Sequence, residues 1–143
     1  MKYKLIIDET KEEEIIIYAH NRSELVSKIE KIINTDNKKI YGYRENEIVY
    51  LDINIVNAFY IEDGKTYATI DNNKYLVKYR IYELEEILDD NYIKINQSCL
   101  GNINQIKKFK ACFNGSLEVI FKNGFSDYIS RRELKKVKER LGL

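Results

Sequence analysis

Three dipeptides, Asp63-Gly64, Asn114-Gly115 and Asn123-Gly124, punctuate a chain that contains no proline. Asn-Gly and Asp-Gly supply the positive-φ residues of type I′ turns, so each marks a two-strand hairpin wherever β-branched or aromatic runs flank it. Such runs are present: Ala58 to Ile61 and Thr66 to Ile70 around the first, Ala111 to Phe113 and Leu117 to Phe121 around the second, and Phe125 to Ile129 after the third. A polar Arg44 to Glu47 turn between Ile40 to Tyr43 and Ile48 to Leu51 adds a fourth. Hairpins in succession impose an antiparallel, meandering β architecture.

Two helical stretches interrupt the meander. Ile81, Leu84, Ile87 and Leu88 form an apolar stripe over about residues 81–89, closed by Asp89-Asp90-Asn91. The second runs from Ser130 to about Arg140, with Leu134, Val137 and Leu141 inward and Gly142 at its end. Ser130-Arg131-Arg132-Glu133 has the S-x-x-E pattern of a capping box. The first 36 residues read as strand, strand, helix: Tyr3 to Ile7, an acidic turn at Glu9 to Glu12, Glu13 to Ala19, then a helix capped by Asn21 or Ser23 with Leu25, Val26, Ile29, Ile32 and Ile33 on one face. Thr35-Asp36-Asn37 is the candidate boundary. The predicted fold is α+β, mainly β: small antiparallel sheets with two short helices over residues 39–143, preceded by a strand-strand-helix extension over 1–36.

A length of 143 residues allows one domain or a domain with a short appendage, and 44% apolar residues suffice for a core. No apolar run approaches a membrane span, and the start, MKYKLIIDETKEEE, turns acidic before a signal-peptide core develops, so a cytoplasmic protein that is not membrane-inserted is expected. Cys99 and Cys112 lack metal-ligand spacing and read as buried reduced thiols. With His20 the single histidine, multi-histidine metal sites and His-activated nucleophiles lose their main component. Six scattered glycines form neither a dinucleotide nor a phosphate-binding motif. No catalytic set converges, and neither an enzyme, a cofactor nor a metal site is expected.

The net charge of +1 conceals a polarity. Residues 1–90 hold 13 Lys/Arg against 19 Asp/Glu, whereas residues 91–143 hold 11 against 4. A basic C-terminal third points to a polyanion. Within it, Arg131 and Arg132 fall in the first turn of a helix, where cations oppose the macrodipole and an incoming phosphate would be held by both. Lys135, Lys136 and Lys138 extend that surface. A capped surface helix with solvated charges is the competing reading. Lys94-Ile95-Asn96-Gln97-Ser98 places amide side chains at a strand end, a chemistry suited to base edges, although a plain turn would use the same residues.

Two ordered segments carry a family resemblance. Leu84-Glu85-Glu86-Ile87-Leu88 followed by Tyr92 through Ile103, with Lys94-Ile95-Asn96-Gln97-Ser98 at its centre, resembles the helix and F-x-R-x-H-R-S-x-x-V-N segment of LytTR DNA-binding domains. Phe121-Lys122-Asn123-Gly124 through Tyr128-Ile129-Ser130-Arg131-Arg132 to Val137 resembles that family's closing hairpin, S-R-R motif and short helix. The resemblance covers about residues 39 to 143. It implies a sequence-specific transcriptional regulator that reads major grooves of double-stranded DNA through loops, works as a homodimer, and resembles response regulators without carrying a receiver domain. Arg132 matches the base-reading arginine, Gln97 and Asn96 the two positions before the phosphate-contacting serine, Ser98 that serine, and Lys94 a usual arginine. Tyr128 and Ser130 match backbone-contacting positions, Arg131 the first arginine of S-R-R, Lys135 a phosphate-neutralising lysine, and Tyr67 an earlier reading loop at Lys65-Thr66-Tyr67. Stand-alone members imply a membrane-protein regulator; residues 1–36 would serve as a dimerisation element or a docking surface for such a partner, ahead of a structural cover for the sheet edge. A protein-interaction module of the same fold that docks such a partner without reading DNA is the alternative.

Overall fold

A computed structural model describes residues 2–35 and 39–143. Ten strands and three helices follow in the order α1 (Glu24–Thr35), β1 (Tyr41–Arg44), β2 (Glu47–Tyr50), β3 (Ala58–Glu62), β4 (Lys65–Ile70), β5 (Asn73–Val77), α2 (Ile81–Ile87), β6 (Tyr92–Asn96), β7 (Cys99–Asn102), β8 (Ile106–Ala111), β9 (Leu117–Phe121), β10 (Ser126–Tyr128) and α3 (Arg131–Leu141). A seven-stranded sheet has the order β2-β1-β5-β4-β3-β7-β6, and a three-stranded sheet the order β10-β9-β8. Every pairing is antiparallel, as the hairpin signals require.

The turns form where their chemistry predicts. Asp63 and Gly64 take φ of 51° and 74°, which sets the Glu62↔Lys65 register of β3 and β4. Asp71 at φ 48° makes an equally tight β4–β5 turn; its partner there is Asn72 instead of glycine, so the dipeptide signal is absent. The β8 strand occupies residues 106–111, earlier than the 111–113 expectation, because Asn114 closes a longer loop by accepting from both Ser116 N and Ser116 Oγ.

Strand alternation builds the two cores. Phe59, Ala68 and Leu100 face α2 and pack with Ile81, Leu84, Ile87 and Leu88. Their chain neighbours Ala58 and Cys99 point through the sheet to the opposite face, where they meet Val119 and Phe121 of the small sheet and Val137 of α3. The small sheet and α3 therefore cover the β3-β7-β6 end of the large sheet. Asn123 ties the layers together by donating to Thr69 Oγ1 at 2.9 Å and Asp71 O at 3.0 Å. Buried Asn102 donates to Val56 O at 2.9 Å, fastening the loop that precedes β3.

The extension behaves differently. Ser23 caps α1, accepting from Val26 N at 3.3 Å, and α1 packs on α2 with Val26 buried. The acidic turn also forms, with Asp8 O accepting from Lys11 N and the Asp8 carboxylate from Thr10. The two expected strands, Tyr3 to Ile7 and Glu13 to Ala19, carry no sheet pairing. A strand needs a neighbour for its backbone and a surface for its apolar face; neither is supplied by the described residues, and Tyr3 and Ile7 are 94% and 86% exposed. Asp36 and Asn37, the expected boundary, lie outside the described residues.

Candidate nucleic-acid interface

Gln97, Ser98, Tyr128, Ser130 and the start of α3, all singled out in the basic third, converge on one end of the molecule. The β6–β7 hairpin ends in a tip at Asn96 to Cys99, and two hydrogen bonds bind it to the β10–α3 junction: Ser130 N donates to Ile95 O at 3.0 Å, and Asn96 Nδ2 donates to Tyr128 O at 2.9 Å. The β3–β4 turn joins the same end, since Ile61 N donates to Ser98 O at 2.9 Å. Residues distant in sequence thus form one continuous rim.

Gln97 and Ser98 are exposed at the tip, and the Gln97 amide makes no side-chain hydrogen bond among the described residues. Asn96 is different. Its Oδ1 accepts from Ser98 N at 2.8 Å while its Nδ2 donates to Tyr128 O at 2.9 Å, so each end of the amide is anchored within the protein. It is the clamp of the tip. Lys94 points away from the tip toward α2, with Nζ 3.2 Å from the buried Glu85 Oε1, an ion pair without hydrogen-bond alignment. Tyr67 lies inside β4 as a half-buried ring 6.0 Å from Tyr60 and beneath Lys74 Nζ at 4.8 Å; the turn itself is Asp63-Gly64, with Lys65 exposed beside it.

At the α3 start, Ser130 is the N-cap, with φ −67° and ψ 153°. The expected capping box does not form. Ser130 makes no side-chain cap bond; its carbonyl accepts from Glu133 N and Leu134 N at 3.0 Å, while Glu133 is buried in line with Val137. Packing of α3 on β6 takes the Glu133 side chain inward, out of reach of the backbone it would have capped. Arg131 and Arg132 are exposed, and neither guanidinium has an ion pair or side-chain hydrogen bond among the described residues. Lys135, four residues after Arg131, is exposed on the same helix face. Two free guanidiniums at the positive end of the helix dipole repel one another and can be neutralised together by phosphate. Tyr128 is 56% exposed next to them.

The β8–β9 tip at Asn114-Gly115, a predicted hairpin that contains none of the candidate site residues, reaches this end too. Ile129 N donates to Leu117 O at 2.9 Å, and Tyr128 stands opposite Glu118, itself opposite Lys110. Cys112 is half-exposed here instead of buried, because the turn lies beyond the core. Cys99 is buried as expected; burial pushes its thiol well above its ordinary value, and the adjacent Asp127 carboxylate adds to the shift.

Residues 46–142 match the LytTr DNA-binding domain family. Over its full length the chain is 32% identical to an uncharacterized HTH-type transcriptional regulator of Staphylococcus aureus strain NCTC 8325 / PS 47, covering 99% of that protein. A regulator described in the same words from the bovine strain RF122 / ET3-1 is 33% identical over the same extent. The LytTr DNA-binding domain of a methyl-accepting/DNA response regulator from Bacillus cereus superposes with a TM-score of 0.69, covering 75% of this chain and all of that domain at 21% identity. Among the described residues no helix is long and apolar enough to cross a membrane. With a family match across most of its length and relatives aligned from end to end, the chain belongs to the LytTr DNA-binding domain family.

Proposed function

We propose that this DNA-binding regulator recognises specific duplex sequences in the cytoplasm with the rim formed by Gln97, Ser98, Tyr128, Arg131, Arg132 and Lys135, and that it does so as a homodimer. The observation that carries the reading is the pair of unengaged guanidiniums at the α3 start, bonded through Ser130 and Tyr128 to a tip that exposes a free amide. Arg132 pairs with guanine O6 and N7, Gln97 contacts a neighbouring base edge, and Ser98, Tyr128, Arg131 and Lys135 take phosphates. Readout comes from loops and a helix start: α2 and α3 are separated by five strands, so these two helices do not form a helix-turn-helix pair.

Titration of labelled duplexes across salt concentrations tests this. Arg132→Ala should cost about 1–3 kcal/mol on the preferred sequence. Lys135→Ala should weaken all duplexes and lower the salt slope by about one. Wild-type affinity no better for promoter fragments than for random duplex would remove the proposal.

The extension supports the dimer. Seven large apolar side chains between Tyr3 and Tyr18 stand more than 60% exposed, a surface that single soluble chains seldom leave open. Pairing between two copies would bury it and place two reading rims on one duplex. The same surface favours the second reading, in which it docks a membrane-protein regulator. Sedimentation equilibrium separates them: a dimer that Ile6→Asp plus Ile16→Asp converts to monomer supports the first, and a wild-type monomer the second.

A further inference from the structure

The β8–β9 tip holds an apolar side chain where a turn needs none. Phe113 has a relative exposure of 114%, the highest among the large apolar side chains of the described residues. It is not there for want of order. Cys112 N donates to Ser116 O at 2.9 Å, Gly115 N to Cys112 O at 3.1 Å, and Asn114 Oδ1 binds Ser116 N and Oγ at 3.2 and 2.6 Å, so the loop that presents the ring is internally fastened. Gly115 supplies the φ of 79° that lets it close.

Beside the tip runs a basic strand. Lys108 and Lys110 flank the inward Phe109 on β8, so alternation sends both to the outer face of the small sheet. Both are exposed, and neither forms an ion pair among the described residues. Lys110, Glu118 and Tyr128 stand abreast on three adjacent strands, which places Lys110 about 10 Å from Tyr128 on one face, by the usual strand spacing. Glu118 sits between them and offsets part of the charge. The root of the tip is bonded to the residue before the α3 cap, Ile129 N to Leu117 O. The tip therefore emerges at the same end of the molecule as Arg131 and Arg132.

We propose that the β8–β9 tip is an additional DNA-contacting element, in which Lys108 and Lys110 neutralise phosphates flanking those held at the α3 start. Phe113 lies against the apolar parts of the duplex there, deoxyribose faces or a thymine methyl group. The inference rests on the reading of the Gln97–Arg132 rim as the DNA-binding surface. Positive charge that Glu118 only partly offsets, an apolar ring on a hydrogen-bonded tip and continuity with that rim together favour nucleic acid over a protein partner.

The test uses the full chain and two probes, a duplex selected by the wild-type protein from a random library and an unselected random duplex. Phe113→Ser, Lys108→Gln plus Lys110→Gln, and Arg132→Ala are compared, with unchanged far-UV dichroism and melting as the check on folding. Phe113→Ser should weaken the selected duplex about tenfold, near the low end of what burying a phenylalanine ring yields, with the salt slope unchanged. The double lysine variant should lower the slope by about two and shorten the hydroxyl-radical footprint on one side. Wild-type affinity, slope and footprint in both tip variants, with Arg132→Ala impaired, overturns the tip and leaves the rim standing. Loss of no binding in any variant, or no binding by wild type, overturns both. Sedimentation of wild type but not Phe113→Ser with phosphatidylglycerol vesicles, together with unaffected DNA binding, assigns the tip to membrane and also overturns it.

Discussion

Replacing Asn96 with alanine separates a residue that shapes the proposed DNA-binding rim from residues proposed to touch DNA. The amide makes two hydrogen bonds, to Ser98 N at 2.8 Å and Tyr128 O at 2.9 Å. Each contributes about 0.5–1.5 kcal/mol net, and the rim is open enough for water to replace part of what is lost, so the substitution should cost about 1–2 kcal/mol of stability. Its effect on function has a distinct form. The β6–β7 tip and the α3 start remain joined through Ser130 N and Ile95 O but lose their second tie. Gln97 and Arg132 then no longer hold one fixed spacing, and affinity for the preferred sequence should fall about tenfold, since poorly held groups lose the benefit of preorganisation. Because those two bonds fix the Asn96 amide in the protein's own framework, the pattern of preferred bases should not change. Asn96→Asp keeps the acceptor for Ser98 N but turns an oxygen toward Tyr128 O, and should be at least as damaging. Urea unfolding monitored by tyrosine fluorescence gives the stability, and anisotropy titration against single-base variants of the target gives the preference. An Asn96→Ala protein of wild-type stability that loses discrimination at a single base pair would refute the clamp and make Asn96 a reader.

Gly101→Ala places a Cβ 2.7 Å from Phe121 Cζ and 3.1 Å from Cε1, both in the core, so overpacking should destabilise the fold by about 1–3 kcal/mol in the same urea assay. In the native protein, thiol reagent at pH 8 should modify Cys112 quickly and Cys99 only after unfolding, since burial both hides Cys99 and suppresses its thiolate. Burial also raises the Tyr92 hydroxyl, which donates to Ile53 O at 2.7 Å. Both groups hold their protons more tightly folded than unfolded, so the unfolded state releases protons first and stability should decline as pH rises past about 9, the ordinary value for a thiol, and further past 10, that for a tyrosine. Burial raises the Tyr60 hydroxyl as well, so Tyr92→Phe should lessen the upper part of that decline without abolishing it in unfolding measured from pH 7 to 11.

Hairpins were legible in the sequence because their signal is local. Asp63-Gly64 fixes a turn by backbone conformation alone, whatever packs around it, and the structure places strands on both sides of it. The stripes of α2 and α3 were legible for the same reason. Features decided by tertiary packing were not. Ser130 and Glu133 match a capping pattern, yet burial against β6 claims Glu133. Tyr67 aligns with a reading loop, but the tight turn ends one residue earlier than Lys65 and leaves Tyr67 within the ladder opposite Tyr60. Asn96 and Gln97 are adjacent amides with no difference in the sequence; only the position of Tyr128 O, brought in by the small sheet, distinguishes the clamp from the free group. Tyr3 to Ile7 and Glu13 to Ala19 have strand composition but no neighbour to pair with, and composition alone does not supply one.

Base-specific reading by Arg132 is tested most directly by selecting duplexes from a random library with wild type, Arg132→Ala and Lys135→Ala in parallel. A defined motif should emerge with wild type. Arg132→Ala should lose preference for a guanine at one position of each half-site and keep the rest, and Lys135→Ala should recover the whole motif at lower yield. A wild-type pool without a motif, or an Arg132→Ala pool that retains every preferred base, would contradict the assignment.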